Sequence, residues 1–457
     1  MLLSFITFAA SAQQINGSWA GTLKVQSASL RLVFHISKTE TGYTAVMDSP
    51  DQGAYGLPAG NVTFTNPSLL IEAPAMGISY KGELKNDHIT GEFKQGGQKF
   101  NVDLYRTQAQ KPEERKRPQE PSEPYPYYTE EVVFKNVKEG IELSGTLSLP
   151  KKEGMFPVAI LISGSGPQNR DEELMGHKPF LVLSDYLVRR GIGVLRYDDR
   201  GTAKSGGVFK TAVTADFAQD ALSAVEYLKT RKEVNKNKIG LIGHSEGGLI
   251  APIVANKSKK TAFIVLMAGP AISGDQLLLT QQVYIGKALG KSEAEIQKSK
   301  SENEKAFEIV KKYSDPAELK ANMIRYITEI SQNDPAKPEG ISQKDYVEGQ
   351  VARILNPWMT SFIRYNPEPA LEKVNCPVLA LNGEKDLQVV PKENLAAINK
   401  ALSKGGNKNS TVKELPGLNH MFQECSTGLP SEYSQIEQTI SPLALRTVSE
   451  WIILKVN

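Results

Sequence analysis

The residues best placed to do chemistry lie in Lys238-Ile239-Gly240-Leu241-Ile242-Gly243-His244-Ser245-Glu246-Gly247-Gly248. A G-x-S-x-G pattern here follows an apolar run directly and opens a helix-compatible segment, Glu246 to Ala255. A serine hydroxyl becomes a useful nucleophile when it is exposed on a tight strand-to-helix turn, within reach of a base. The helix N-terminus then favours developing negative charge. Gly243 and Gly247 leave room for the backbones that such a turn presses together. The five-residue pattern alone arises by chance roughly 0.1–0.2 times in a chain of this length at ordinary glycine usage, so the flanking strand and helix give it meaning. Ser245 is the expected nucleophile.

A nucleophilic serine needs a base, and the chain has five histidines. His35 and His88 fall in an N-terminal β region. His244 is the x of the motif, where side chains usually point away. His177 precedes Ser245, against the order Ser, acid, His. His420 remains, in Leu415-Pro416-Gly417-Leu418-Asn419-His420, just after the short β run Thr411 to Leu415. The acid must lie between them, after a strand. Val378-Leu379-Ala380-Leu381-Asn382-Gly383-Glu384-Lys385-Asp386 offers Asp386, with Glu384 as the alternative. Such an acid orients the imidazole and stabilises it once protonated. Two backbone N–H groups must hold the oxyanion. One is expected from Glu246 and the other from Ser163-Gly164-Ser165-Gly166-Pro167, with Ser165 first and Gly166 second.

The elements that carry these loops can be read from periodicity. Phe156 to Ile162, Ile192 to Tyr197, Lys238 to Ile242, Ala262 to Met267 and Pro377 to Leu381 are continuous apolar runs, as strands buried on both faces of a parallel sheet require. Thr214 to Lys229 has a helical apolar face, and the β/α alternation implies a doubly wound sheet. From about residue 273 to 366 the chain is charged and largely helical, for example Ser292 to Tyr313 and Pro316 to Ile330, which predicts a cap inserted between two strands. Residues 13–106 alternate in short runs, such as Leu30 to Ile36, Tyr43 to Met47, Ser68 to Glu72, Ile89 to Phe93 and Phe100 to Tyr105. About eight strands in a small antiparallel barrel or sandwich are expected. Residues 107–129 hold five prolines among mixed charges and predict a semi-rigid linker, leaving 130–457 as the catalytic domain.

Ser163 to Asp171, Tyr197-Asp198-Asp199-Arg200-Gly201, Gly243 to Gly248, Asn382 to Asp386 and Gly417 to His420 together resemble bacterial α/β-hydrolases. The resemblance is closest to exported two-domain carboxylesterases with an N-terminal β domain, grouped with serine aminopeptidase-like hydrolases. It implies an α/β-hydrolase fold, a Ser245–Asp386–His420 triad, and neither metal nor cofactor. Two positions depart from the family pattern: Ser163-Gly164 stands where His-Gly is usual, and Ala203 replaces a common glycine.

Composition narrows the field further. Hydrophobic residues make up 40% and charged residues 23%, as in globular proteins, and the net charge of +3 gives no electrostatic footprint for nucleic acid. Cys376 and Cys425 are too few for a disulfide framework or a Cys-rich zinc site. Leu2 to Ala9 is too short to span a bilayer and ends in Ala10-Ser11-Ala12, so residues 1–12 are expected to be a signal peptide and the protein exported, periplasmic or extracellular. The expected function is hydrolysis of small-molecule carboxylic esters through an acyl-enzyme. Two alternatives stand beside it. One is peptide hydrolysis by the same triad, with Glu302, Glu304 and Glu308 available to an amine. The other is polysaccharide or lipid binding by the β domain through Trp19, Tyr43, Tyr55 and Tyr80.

Overall fold

The computed structural model describes residues 15–25, 28–39, 42–50, 54–73, 77–95, 98–107, 117–258, 260–332, 334, 337 and 342–456. The expected signal peptide lies outside the described residues, as do residues 108–116 of the expected linker. The chain forms two compact units, Met1–Arg115 with Thr328–Gln350 and Lys116–Ile327 with Val351–Asn457. Residues 328–350, which the sequence reading places in the cap, thus belong to the first unit. Within that segment, Gln343 donates to Ser331 Oγ at 2.8 Å and Tyr346 to Asp334 at 2.7 Å.

The first unit is built on one antiparallel sheet. Its strands are β1 (Gly17–Val25), β2 (Ala28–Thr39), β3 (Gly42–Ser49), β4 (Ala54–Pro58), β5 (Asn61–Thr65), β6 (Ser68–Ala73), β7 (Ile78–Lys85), β8 (His88–Gln95), β9 (Gln98–Asn101) and β10 (Leu104–Thr107). They run in the order β4-β3-β2-β1-β10-β8-β7-β6-β5, with β9 beside β8. The link between β4 and β5 bonds both ways, Ala59 N–H to Ala45 O at 2.9 Å and Gly60 N–H to Glu72 O at 2.8 Å. The sheet therefore curls round its core instead of splitting into two layers. That core buries Trp19, Phe34, Tyr80 and Phe93, one face of alternating strands. The run Phe100 to Tyr105 is not one strand. It breaks at Val102 and Asp103, which lets β9 stay on β8 while β10 turns to pair with β1 as well.

The second unit holds an eight-stranded mixed sheet. Its strands are β11 (Tyr128–Asn136), β12 (Ile141–Leu149), β13 (Phe156–Ile162), β14 (Gly193–Tyr197), β15 (Val234–His244), β16 (Thr261–Met267), β17 (Val378–Gly383) and β18 (Ser410–Leu415). The order is β11-β12-β14-β13-β15-β16-β17-β18, parallel from β14 onward, which is the α/β-hydrolase arrangement. The continuous apolar runs are explained by two faces. Val158, Ile160 and Ile162 of β13 point into one core with helices α2 (Thr214–Thr230), α3 (Glu246–Lys257) and α10 (Pro391–Lys404), whereas Ala159 and Leu161 point into another with α1 (Pro179–Val188) and α12 (Pro442–Val456). Full burial of a leucine or valine on either side contributes about 1.5–3 kcal/mol. Between β16 and β17 lie helices α4 (Gly274–Ala288), α5 (Glu293–Lys312), α6 (Pro316–Ile330), α7 (Gln343–Ile354), α8 (Pro357–Arg364) and α9 (Glu368–Leu371). A last short helix, α11 (Pro430–Tyr433), follows β18.

The end of the expected linker is not a free spacer. Arg117 donates to the carbonyls of Gly176 and Ile436, and Gln119 Nε2 donates to Ile440 O at 2.7 Å. A second buried polar cluster locks the loop after β14. Arg200 Nε and Nη2 reach the two oxygens of Asp220 at 2.6 and 2.9 Å, and Asn136 Nδ2 reaches Asp220 Oδ1 at 2.6 Å. Arg200 and Asp220 are both buried, so removing one partner strands the other's charge. Asp220→Ala is expected to lower unfolding free energy by about 3–5 kcal/mol in a urea titration.

Candidate active site

Ser245 occupies the turn between β15 and α3 with φ 52° and ψ −117°, in the left-handed half of backbone space. For a non-glycine residue this costs on the order of 1–3 kcal/mol, and the surroundings must hold it there. They do so by backbone contact. A Cβ at Gly243 would lie 2.0 Å from Gly247 O, and one at Gly247 would lie 2.1 Å from Ile162 O. Ser245 N–H is held by Met267 O at 2.9 Å, and Gly248 N–H by Ser245 O at 2.8 Å. Strands β13, β15 and β16 thus meet at one residue.

His420 lies in the loop after β18 and Asp386 in the loop after β17. Both are buried, and His420 Nδ1 lies 2.8 Å from Asp386 Oδ2. The carboxylate is fully engaged. Oδ1 accepts the backbone N–H groups of Gln388 and Val389 at 2.8 and 2.9 Å, and Oδ2 also accepts Asn382 Nδ2 at 3.3 Å. Every partner donates, so His420 Nδ1 is the protonated nitrogen and Nε2 keeps the free lone pair. Glu384 does other work: it accepts the N–H of Gly417 at 2.8 Å and braces the histidine loop. Among the described residues Ser245 Oγ makes no hydrogen bond with His420; the two loops meet through His244, whose ring centroid lies 4.9 Å from that of His420.

Glu246 opens α3, so its N–H is one of the helix's unpaired donors. The loop after β13 comes alongside: a Cβ at Gly164 would lie 3.2 Å from Ser245 Cβ. Ser165 follows and is exposed, and Gly166 takes φ 104°. The Glu246 side chain points the other way and is buried. It accepts Thr214 Oγ1 at 2.6 Å and Trp358 Nε1 at 2.9 and 3.0 Å, the latter from cap helix α8. Burial raises its pKa, against the two donors, which lower it.

Two other histidines sit in hydrogen-bonded settings apart from this couple. His177 is buried, with Nδ1 3.0 Å from Thr439 Oγ1 and Nε2 2.9 Å from Tyr433 O. In the first unit His35 stands between Ser18 Oγ and Asp48 Oδ2, 2.7 Å from each. This Ser-His-Asp trio lacks the turn that the chemistry requires: Ser18 sits in β1 with paired strands on both sides. Of the four aromatics named for the β domain, Trp19 and Tyr80 are wholly buried. Trp19 Nε1 bonds Ile15 O at 2.7 Å, and Tyr80 OH bonds Val102 O at 3.0 Å. Tyr43 packs edge-on against Phe64, and the Tyr55 side chain lies outside the described residues. Cys376 and Cys425 are free thiols. A cavity of about 260 Å³ in the cap is lined by Leu278, Ile285, Leu289 and Ile296 but by none of Ser245, Asp386 and His420, so it is separate from this site.

Two residues escaped the sequence reading. Trp358 lies in a helical stretch with no motif. Glu172, in Asn169-Arg170-Asp171-Glu172-Glu173, looks like part of a solvated charge run, yet it is buried at φ 51° with Oε1 2.9 Å from His244 Nδ1.

A family model described as serine aminopeptidase, S33 matches residues 180–424. Esterase EstD of Thermotoga maritima is 26% identical over 312 residues, 68% of this chain and 65% of that protein, so the chain spans just under two thirds of that relative's length. The uncharacterized protein PA2218 of Pseudomonas aeruginosa is 30% identical over 113 residues, 24% of this chain and 29% of that protein. Among solved structures, Est1E from Butyrivibrio proteoclasticus with ferulic acid bound aligns at 18% identity and a TM-score of 0.42, covering 71% of this chain and 99% of that one. The family match takes in more than half of the chain, including the turn at Ser245 and the loops of Asp386 and His420. This chain belongs to the serine aminopeptidase, S33 family of α/β-hydrolases.

Proposed function

We propose that the protein is a serine hydrolase that cleaves small carboxylic esters through an acyl-enzyme, with Ser245 as nucleophile, His420 as general base and acid, and Asp386 as its orienting carboxylate. The observation that carries this reading is the pairing of a strained, half-buried serine on a strand-to-helix turn with a buried His–Asp couple on the two loops beyond β17 and β18.

His420 Nε2 takes the Ser245 proton as Oγ attacks the ester carbonyl. The Glu246 and Ser165 N–H groups hold the oxyanion, worth roughly 3–4 kcal/mol for such a donor. The tetrahedral intermediate collapses, and the imidazolium returns its proton to the leaving alcohol. Water, deprotonated by the same nitrogen, then attacks the acyl-enzyme and frees the acid and Ser245. Asp386 orients the imidazole and stabilises the imidazolium that forms.

The family's description supports a second reading, peptide hydrolysis by the same residues. The acidic groups that an amine would need are poorly suited: Glu304 and Glu308 are exposed on α5, and Glu302 pairs with Lys298 at 3.9 Å.

Ser245→Ala is expected to cost on the order of 10⁶-fold in kcat on a p-nitrophenyl ester while the far-UV spectrum stays unchanged. Turnover at the wild-type rate would remove Ser245 from the mechanism. Asp386→Asn, which keeps shape and loses charge, is expected to lower kcat about 10⁴-fold. In a panel of acyl esters beside aminoacyl-p-nitroanilides, esters are expected to turn over; anilide turnover alone would make the peptidase reading the right one.

A further inference from the structure

A buried pair beside the nucleophile plays no part in proton transfer to substrate, yet it touches all three loops of the site. Glu172 Oε1 accepts the N–H of Gly164 at 2.7 Å and lies 2.9 Å from His244 Nδ1. His244 Nε2 lies 3.0 Å from the backbone carbonyl of His420. His244 is the residue before Ser245, and Gly164 opens the loop expected to bind the oxyanion. One side-chain pair therefore spans the oxyanion loop, the nucleophile turn and the histidine loop.

The protons can be counted. A carbonyl oxygen only accepts, so His244 Nε2 carries hydrogen, and a second proton lies between Nδ1 and Oε1. Burial alone disfavours a charged imidazole, but Glu172, together with the His420 carbonyl and Asp386 beyond it, more than offsets that and raises the His244 pKa. The groups facing the ring are Glu172 from the loop after β13 and His420, with Asp386 behind, from the loops after β18 and β17. The backbone at Glu172 is held at φ 51°, so the loop adopts an unfavourable conformation where this carboxylate is turned inward. Gly164 has no slack either: a Cβ there would lie 3.2 Å from Ser245 Cβ and 3.3 Å from Glu172 Oε1.

We propose that Glu172 and His244 are positioning residues: a buried carboxylate–imidazolium bridge that sets the spacing of the oxyanion loop and of His420 about Ser245, and so governs kcat. The proposal rests on the serine-hydrolase reading above. Loss of the Glu172 carboxylate weakens its bonds to the Gly164 N–H and to His244 Nδ1 together, and with them the hold on the loops of Gly164 and His420.

The test uses the full chain and a p-nitrophenyl ester. Glu172→Gln is expected to lower kcat on the order of 10- to 100-fold with KM unchanged, because a shift of about 1 Å in reacting groups costs that much. Modification of Ser245 by a fluorophosphonate should slow in parallel. His244→Gln, which can still donate to the His420 carbonyl, should recover part of kcat relative to His244→Ala. In ¹⁵N-histidine spectra of the Ser245→Ala protein, both His244 ring nitrogens should give protonated signals at neutral pH, and Glu172→Gln should convert them to those of a neutral tautomer. This spectrum is read without turnover, so it decides the charge of the bridge even if Glu172→Gln fails to fold in its active background. Wild-type kcat in Glu172→Gln with Ser245→Ala inactive would overturn the bridge and leave the triad standing. Full activity in Ser245→Ala would overturn the triad itself. A neutral His244 in the spectrum would overturn the ion pair.

Discussion

Backbone pressed against backbone is the constraint on which the site depends. At the end of β15 three glycines have no room for a side chain: Gly243 against Gly247, Gly247 against Ile162, and Gly248 against Gly269, whose Cα a Cβ at 248 would approach to 2.5 Å. Each contact joins a different pair of elements, so β13, β15, α3 and the segment after β16 converge around Ser245. The strain at Ser245 is the local cost of this convergence, and the two buried cores on either face of the sheet offset it. The same closeness brings the helix N-terminus to the serine, where unpaired N–H groups face any charge that forms.

How much of this was legible depended on whether the signal was local. The strand–turn–helix at Ser245 lies within a dozen consecutive residues, and its glycine spacing is a direct imprint of the packing. His420 could be found by elimination because the chain has so few histidines, and Asp386 because a strand had to precede it. The six strands β13 to β18 are marked by apolar runs, and their alternation with helices implies a doubly wound sheet. The antiparallel pair β11 and β12 carries no such mark: Val132 and Phe134 are buried on either side of an exposed Val133, and Leu143 and Leu147 alternate with half-buried Ser144 and Thr146.

What escaped was non-local. Nothing in Asn169 to Glu173 distinguishes a carboxylate turned inward from one left in water, since the partners Gly164 and His244 are set by folding. His244 reads in the sequence as the motif's bystander, yet its ring bonds Glu172 and the His420 carbonyl, two partners far away along the chain. In the first unit, Phe100 to Tyr105 looked like a single strand because its alternation is continuous, and only the demand for pairing with both β8 and β1 breaks it. Of the aromatics, Trp19 and Tyr80 are consumed by the core, their polar atoms tied to backbone carbonyls.

Glu246 has two unrelated partners. Its N–H is an unpaired donor at the start of α3, and its carboxylate grips the indole of Trp358 and the hydroxyl of Thr214. Helix α8 is thereby pegged to the residue after Ser245. Drift at position 358 would leave an acid in the protein interior short of donors. Remodelling elsewhere in the insertion can thus proceed around one fixed indole, with the turn at Ser245 untouched.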